Sequence, residues 1–247
     1  MLNVIFSFLL FFYSLNSNAI MGGELVNANQ AIARVTVSLS LVGASSDQRG
    51  YCSAVLISNH AAITAAHCVV DKSPASVLIT FGTVASQATQ FRVLNNIIIP
   101  HEYHPYGDQL PNMKNAFDIA ILLFDGGLPD GFQVAQMQSG NPLLAKNVIH
   151  IAGFGITSAE ATNGGVLRTC VTQVLDPHYS ESEIELLASH ECSPATGDSG
   201  GPVFTVNSGV VSFYAIHNWG WHDAAQNPTI GVHTRIGFYY PWINSFL

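Results

Sequence analysis

Short Val- and Ile-rich stretches recur along the whole chain, each closed off by Gly, Pro, Asn or Asp, and this rhythm constrains the fold more than any other feature. They run Ala33 to Val42, Ala54 to Ser58, Val77 to Phe81, Ile97 to Ile99, Ile119 to Phe124, Val148 to Ile151 and Val210 to Ile216. At that length they are strands. Long helical periodicity is nearly absent, so the pattern is that of an all-β sandwich or barrel. Two segments read as helical: Ala65 to Val70, and the C-terminal Tyr239 to Leu247, where Pro241 would sit in the first turn with no amide to lose. Asp125-Gly126-Gly127-Leu128-Pro129-Asp130-Gly131 has the composition of a connector and falls near mid-chain, so the boundary between two β units lies there.

The chain has 247 residues, of which 48% are hydrophobic and 10% charged, enough to bury a large core. Eight Lys and Arg against sixteen Asp and Glu leave a net charge of -8 and no basic cluster. That excludes nucleic acid as a natural partner, because nothing supplies the counter-charge for phosphates. Residues 1–19 combine an apolar run from Val4 to Leu15 with Asn16-Ser17-Asn18 and a small Ala19, the pattern of a signal peptide. The run is shorter than the roughly 20 residues of a comfortable bilayer crossing. Export is the expectation, with a secreted or periplasmic location and no membrane attachment once the signal is cut; an uncleaved anchor or buried strand is the alternative.

Export means an oxidising compartment, in which Cys52, Cys68, Cys170 and Cys192 are expected to pair. Three pairings are open. Joining sequence neighbours would keep each bridge within one half of the chain and close loops of modest length. No two cysteines have the C-x-x-C spacing of a zinc site. His101-Glu102-Tyr103-His104 offers two imidazoles, but Pro105 argues against a helix that would present both, and a surface loop is expected with no metal.

Three residues could act as one chemical unit. Ser199 lies among glycines in Thr196-Gly197-Asp198-Ser199-Gly200-Gly201-Pro202, where the backbone can turn sharply and bring its amides close to a substrate carbonyl. His67 follows small residues in Thr64-Ala65-Ala66-His67-Cys68 and is tethered by a neighbouring cysteine. Asp118 opens the apolar run Ile119-Ala120-Ile121-Leu122-Leu123, where burying a charge is costly unless it is paired. Taken singly, each has a bland reading: a Gly-rich turn, a surface His, an Asp at a strand edge. Together they supply nucleophile, base and orienter.

In these motifs the chain resembles the trypsin/chymotrypsin family of serine proteases. Ile20-Met21-Gly22-Gly23, the His67 and Asp118 segments, Gly197 to Pro202 and Asn218-Trp219-Gly220 stand in the family's order, and the resemblance covers residues 20–247. It implies two packed six-stranded antiparallel β-barrels, about 33–127 and about 128–238, then a short C-terminal helix over 239–247, with the active site between the barrels. It implies a serine endopeptidase with catalytic His67, Asp118 and Ser199, an oxyanion hole from the amides of Gly197 and Ser199, and no cofactor. Ile20, freed by proteolysis, would pair with Asp198. Cys52 and Cys68 match the family bridge beside the catalytic His, which leaves Cys170 for Cys192. Protein or peptide substrates and a monomer are the expectation.

The pattern is broken in places. Asn218 replaces a Ser that usually hydrogen-bonds the catalytic Asp, and Ala195 replaces a cysteine four residues before the nucleophile. Counting back six residues from Ser199 puts Ser193 at the pocket floor, where an Asp would select Lys or Arg, so basic residues are not the expected preference. Gly220 and Gly231 match small wall residues that leave the pocket open. His217 resembles the position in glutamyl endopeptidases where a His binds the substrate carboxylate, with Ser193 or Thr196 adding a hydroxyl. Cleavage after Glu is therefore one expectation and a chymotrypsin-like preference for large apolar residues the other. An inactive homologue serving as a binding module is the alternative from another class.

Overall fold

A computed structural model describes residues 20–45, 50–105, 114–140, 142–157, 164–222 and 228–247. The expected signal peptide, residues 1–19, lies outside them. Fourteen strands and one helix are described: β1 (Glu24–Leu25), β2 (Thr36–Leu41), β3 (Cys52–Ser58), β4 (Ala61–Thr64), β5 (Val77–Phe81), β6 (Gln90–Ile98), β7 (Ala120–Phe124), β8 (Gln136–Met137), β9 (Val148–Gly153), β10 (Arg168–Asp176), β11 (Glu183–Leu187), β12 (Pro202–Asn207), β13 (Val210–His222), β14 (Pro228–Arg235) and α1 (Ile236–Asn244).

The first six-stranded barrel closes in the order β2-β3-β4-β7-β6-β5. Its central strands read as unbroken apolar runs because both of their faces are covered. Ala54 and Leu56 of β3, Ala62 of β4 and Leu122 and Phe124 of β7 point into the barrel. Their neighbours Val55, Ile57, Ile63 and Ile121 point outward, yet pack with Ala152, Phe154, Phe204, Phe213 and Ile216 of the other half. Period-two alternation thus sends one set of side chains to the barrel core and the other to the interface.

The second barrel follows β9-β10-β11-β14-β13-β12 and closes where β12 returns to β9; β1 extends it beside β10 and β8 beside β13. Here β10 alternates in earnest, with Cys170, Thr172 and Val174 buried while Val171 and Leu175 are exposed. The connector at residues 125–131 lies between β7 and β8.

Two local expectations shift. The segment around His67 is a single 3-10 turn, Ala66–Cys68. The C-terminal helix begins at Ile236, three residues ahead of the expected start, so that Pro241 lies inside it. Packing overrides the proline cue: Ile236, Tyr239 and Ile243 recur on one face and are all buried against the interface core. Among the described residues, no helix is long and apolar enough to cross a membrane.

Candidate active site

Barrel one presents His67 at the end of β4. Ala65 is extended, and the 3-10 turn then reverses the chain so that the imidazole leaves the strand end, with Cys68 bridged to Cys52 behind it. The His67 main-chain N–H donates to Asp118 Oδ1 at 2.9 Å, and Nδ1 lies 2.7 Å from Asp118 Oδ2. The Asp118 side chain is wholly buried, whereas that of His67 is 33% exposed. A carboxylate only accepts, so this contact puts a proton on Nδ1 and leaves Nε2 to take one up. Burial pushes the His67 pKa down, but the hydrogen bond and charge of Asp118 outweigh it, and the pKa ends above its ordinary value.

Barrel two presents Ser199 on the turn that leads into β12. Thr196 O accepts from Ile156 N–H at 2.8 Å, and Asp198 O accepts from Gly201 N–H at 2.9 Å. The N–H of a trans peptide points away from its C=O, so the amides of Gly197 and Ser199 are turned away from these internal partners. Gly197 needs to be glycine: its φ is +98°, and a Cβ there would lie 2.8 Å from Gly155 Cα. A barrel-one side chain braces the turn from below. Ser53 Oγ donates to Gly197 O at 3.0 Å and accepts from Phe154 N–H at 2.9 Å. The Ser199 hydroxyl itself donates to Asn218 O at 3.4 Å.

Asp198 points the other way, into barrel two. Its carboxylate accepts from Gly155 N–H and Ala195 N–H, both at 2.8 Å, and from the main-chain N–H of Ile20. Burial raises its pKa to about 7 despite these three donors. Ile20 is 1% exposed and held at φ +44°, a conformation that β-branched residues rarely adopt. Next to it, Met21 and Ser193 exchange main-chain hydrogen bonds of 2.8 and 3.2 Å. Ser193 is thus buried on the N-terminal segment, its hydroxyl donating to Pro194 O.

Apart from Thr196, which precedes β12, the other expected pocket residues lie along β13 and β14. Thr196 is exposed; His217, Asn218 and Trp219 are buried; Gly220 pairs with Gly231. Cys170 is bridged to Cys192. Asn218 solves its departure from the family pattern by a detour: its amide donates to Thr234 Oγ1, and that hydroxyl donates to the main-chain carbonyl of Asp118 at 3.1 Å. His217 sits opposite His233 in register, with their Nδ1 atoms 3.4 Å apart. Burial, then the proximity of His233 and His67, pushes the His217 pKa well below its ordinary value, and burial takes His233 to about 3. Both rings are neutral near pH 7.

Sequence reasoning passed over His233, Thr234, Ser53 and Glu183. His233 carried a signal, since alternation puts it on the same strand face as Gly231; its Nε2, which finds no partner among the described residues, lies 2.8 Å from where a Gly231 Cβ would be. Of the loop histidines, His104 has its Nδ1 2.7 Å from Glu102 O, its main-chain N–H donating to Ala116 O at 3.2 Å and its ring against Phe117. The one cluster of metal-ligand type among the described residues is Cys52, His67 and Cys68, whose two sulfurs are already bonded to each other.

Comparison with known proteins gives this geometry its context. The profile of the Trypsin family matches residues 20–243. Transmembrane protease serine 11C of Mus musculus is 28% identical over 214 residues, 78% of this chain and 47% of that protein, so the chain spans about half of that relative's length. Trypsin-1 of Astacus astacus is 27% identical over 218 residues, covering 79% of this chain and 87% of its own. Thrombin-like enzyme gloshedobin of Gloydius shedaoensis is 26% identical over 251 residues, covering 94% and 88%. The chain belongs to the trypsin family and is a serine-type endopeptidase.

Proposed function

We propose that this endopeptidase cleaves protein substrates through an acyl-enzyme, with Ser199 as nucleophile, His67 as general base and acid, and Asp118 as orienter. The observation that carries this reading is the 2.7 Å contact between an imidazole that is 33% exposed and a wholly buried carboxylate beside the Ser199 turn. Ser199 gives its proton to His67 Nε2 as Oγ attacks the scissile carbonyl. The imidazolium so formed is stabilised by Asp118 and then protonates the leaving amine. The developing oxyanion meets the amides of Gly197 and Ser199, where one donor is worth about 3 to 4 kcal/mol. Ser199→Ala should lower kcat about 10⁶-fold and abolish labelling by a serine-directed phosphonate. A wild-type protein that the phosphonate ignores would mean a binding module instead.

Activation follows from export in this reading. A cut after Ala19 frees Ile20, and its new ammonium takes the place of the main-chain N–H at Asp198, holding the carboxylate ionised. The secreted monomer would therefore begin Ile-Met-Gly-Gly and need no further processing.

For specificity we place Glu at the cleaved bond. With its Nδ1 turned to His233, the His217 ring would meet a substrate carboxylate along its Nε2 edge, and a neutral imidazole still donates one N–H. His217→Val should remove cleavage after Glu and spare residual cleavage after Phe or Leu. An enzyme that cuts after Phe, Tyr or Leu and ignores Glu has the apolar preference instead, for which the small Gly220 and Gly231 leave room.

A further inference from the structure

Asp118 must be held in one place to fix His67, yet the three residues before it have no regular structure. Asn115 and Phe117 both sit in the left-handed region, at φ +56° and +55°. For side chains of these types that conformation costs about 1 to 3 kcal/mol each and persists only where surroundings impose it. Barrel two imposes it here. Glu183, at the start of β11 and 1% exposed, accepts from Asn115 N–H at 2.8 Å through Oε2 and from Ala116 N–H at 3.3 Å through Oε1. Ser180 donates to Oε2 at 2.8 Å and steadies the carboxylate. Asn115 Oδ1 in turn accepts from the Ser182 N–H and hydroxyl at 3.2 and 2.9 Å.

Thr234 is the register partner of Glu183 across β11 and β14, and it is Thr234 that grips the Asp118 carbonyl. Two adjacent residues of barrel two therefore hold the chain of barrel one on both sides of Phe117. A buried carboxylate is costly, and an apolar contact would have joined the barrels more cheaply, so its use at this point calls for a reason beyond cohesion.

We infer that Glu183 is a positioning residue: it clamps the strained turn at Asn115 to Phe117 and so fixes Asp118 against His67. Its effect on turnover rests on the triad reading, whereas its effect on His67 does not. Asp118 is the group that raises the His67 pKa against the pull of burial, so loosening the clamp lets that pKa fall. The titratable neighbours are few. His217 is the other group that interacts with His67, Tyr103 and Tyr239 face Asp118, and Tyr179 and Tyr239 face Glu183.

The experiment compares Glu183→Gln and Glu183→Ala in the full secreted chain. Glu183→Gln keeps the shape but replaces one acceptor oxygen by a donor amide. We expect kcat to fall about tenfold in the first and about a hundredfold in the second with KM within twofold, since substrate contacts are untouched. NMR titration should show the His67 pKa lowered in both, by more in Glu183→Ala. Adding Phe117→Gly to Glu183→Ala should recover part of kcat, because glycine holds φ near +55° without strain. If neither Glu183 variant folds, Ser180→Ala, which strips one of the three hydrogen bonds, should show the same His67 shift in smaller measure. A folded variant whose His67 titrates as in the wild type overturns the inference, whatever its thermal stability. A wild type without turnover whose His67 shifts as expected refutes the triad reading alone.

Discussion

The two barrels hold their shares of the site by different physics. Barrel one brings His67 and Asp118 on strand ends between two apolar layers, and among its described residues Asp118 is the one buried ionisable group. Barrel two brings Ser199, its amides and the pocket on turns that lean on buried polar groups: Asp198, Glu183, His217 and His233. The apolar layers of the first are rigid and indifferent to pH, because packing energy does not titrate. The second places each atom through directed hydrogen bonds, at the cost of burying groups whose charge depends on pH.

The strongest way to break this contrast is to damage the apolar side. Phe124→Ala should cost about 3 to 5 kcal/mol of unfolding free energy, the range for a fully buried phenylalanine. The loss, read from denaturant midpoints, should be equal at pH 5 and pH 8; a loss that varies with pH would place barrel one under the same control as barrel two.

Next in size is the pH response of the uncut chain, made with Ala19→Pro to block signal cleavage. The Asp198 pKa rises on folding from an ordinary 3.8 to about 7, so the folded state holds this proton more tightly than the unfolded one. Its contribution to stability is fully present below about pH 4 and is lost as pH rises through 7, a change on the order of a few kcal/mol. In a chain that begins at Ile20, the proposed pairing of its ammonium with Asp198 should abolish this decline. Equal pH profiles for the two forms would mean that Ile20 and Asp198 do not pair.

The smallest effect sharpens the contrast at a place where barrel one reaches into the polar side. Ser53→Ala leaves Gly197 O and Phe154 N–H without their partner and should cost about 1 to 3 kcal/mol. With the Gly197 amide in the proposed oxyanion hole, kcat should fall about tenfold with KM unchanged. A loss confined to stability would show that the turn holds its shape without this brace.

The same contrast explains what could be read from the sequence. The strand cores at Ala54 to Ser58 and Ile119 to Phe124 stood out because two covered faces leave an unbroken apolar run. Strands β10, β11 and β14 did not, because Arg168, Thr169 and Gln173, or Glu183 and Glu185, or His233 and Thr234, interrupt the apolar pattern with polar side chains. The segments around His67, Asp118 and Ser199 were legible as local motifs. Glu183, Thr234 and Ser53 were not, since their roles consist of contacts spanning 67, 116 and 144 residues. Pro241 misled for the opposite reason, a local cue overruled by where Ile236 had to pack.

The left-handed Ile20 has one more consequence. A φ angle is defined by four atoms, and at Ile20 the first of them is the carbonyl carbon of Ala19. While that bond exists, the buried isoleucine must be held at +44°, against the preference of a β-branched residue. Were it cut there, as proposed, the angle would no longer exist: the same backbone nitrogen would keep its place beside Asp198 with nothing left to twist. Scission after Ala19 would thus remove a strain and create a charge in one event, and rejoining the ends would have to restore the first while giving up the second. The processed chain would be held forward like a ratchet past its tooth.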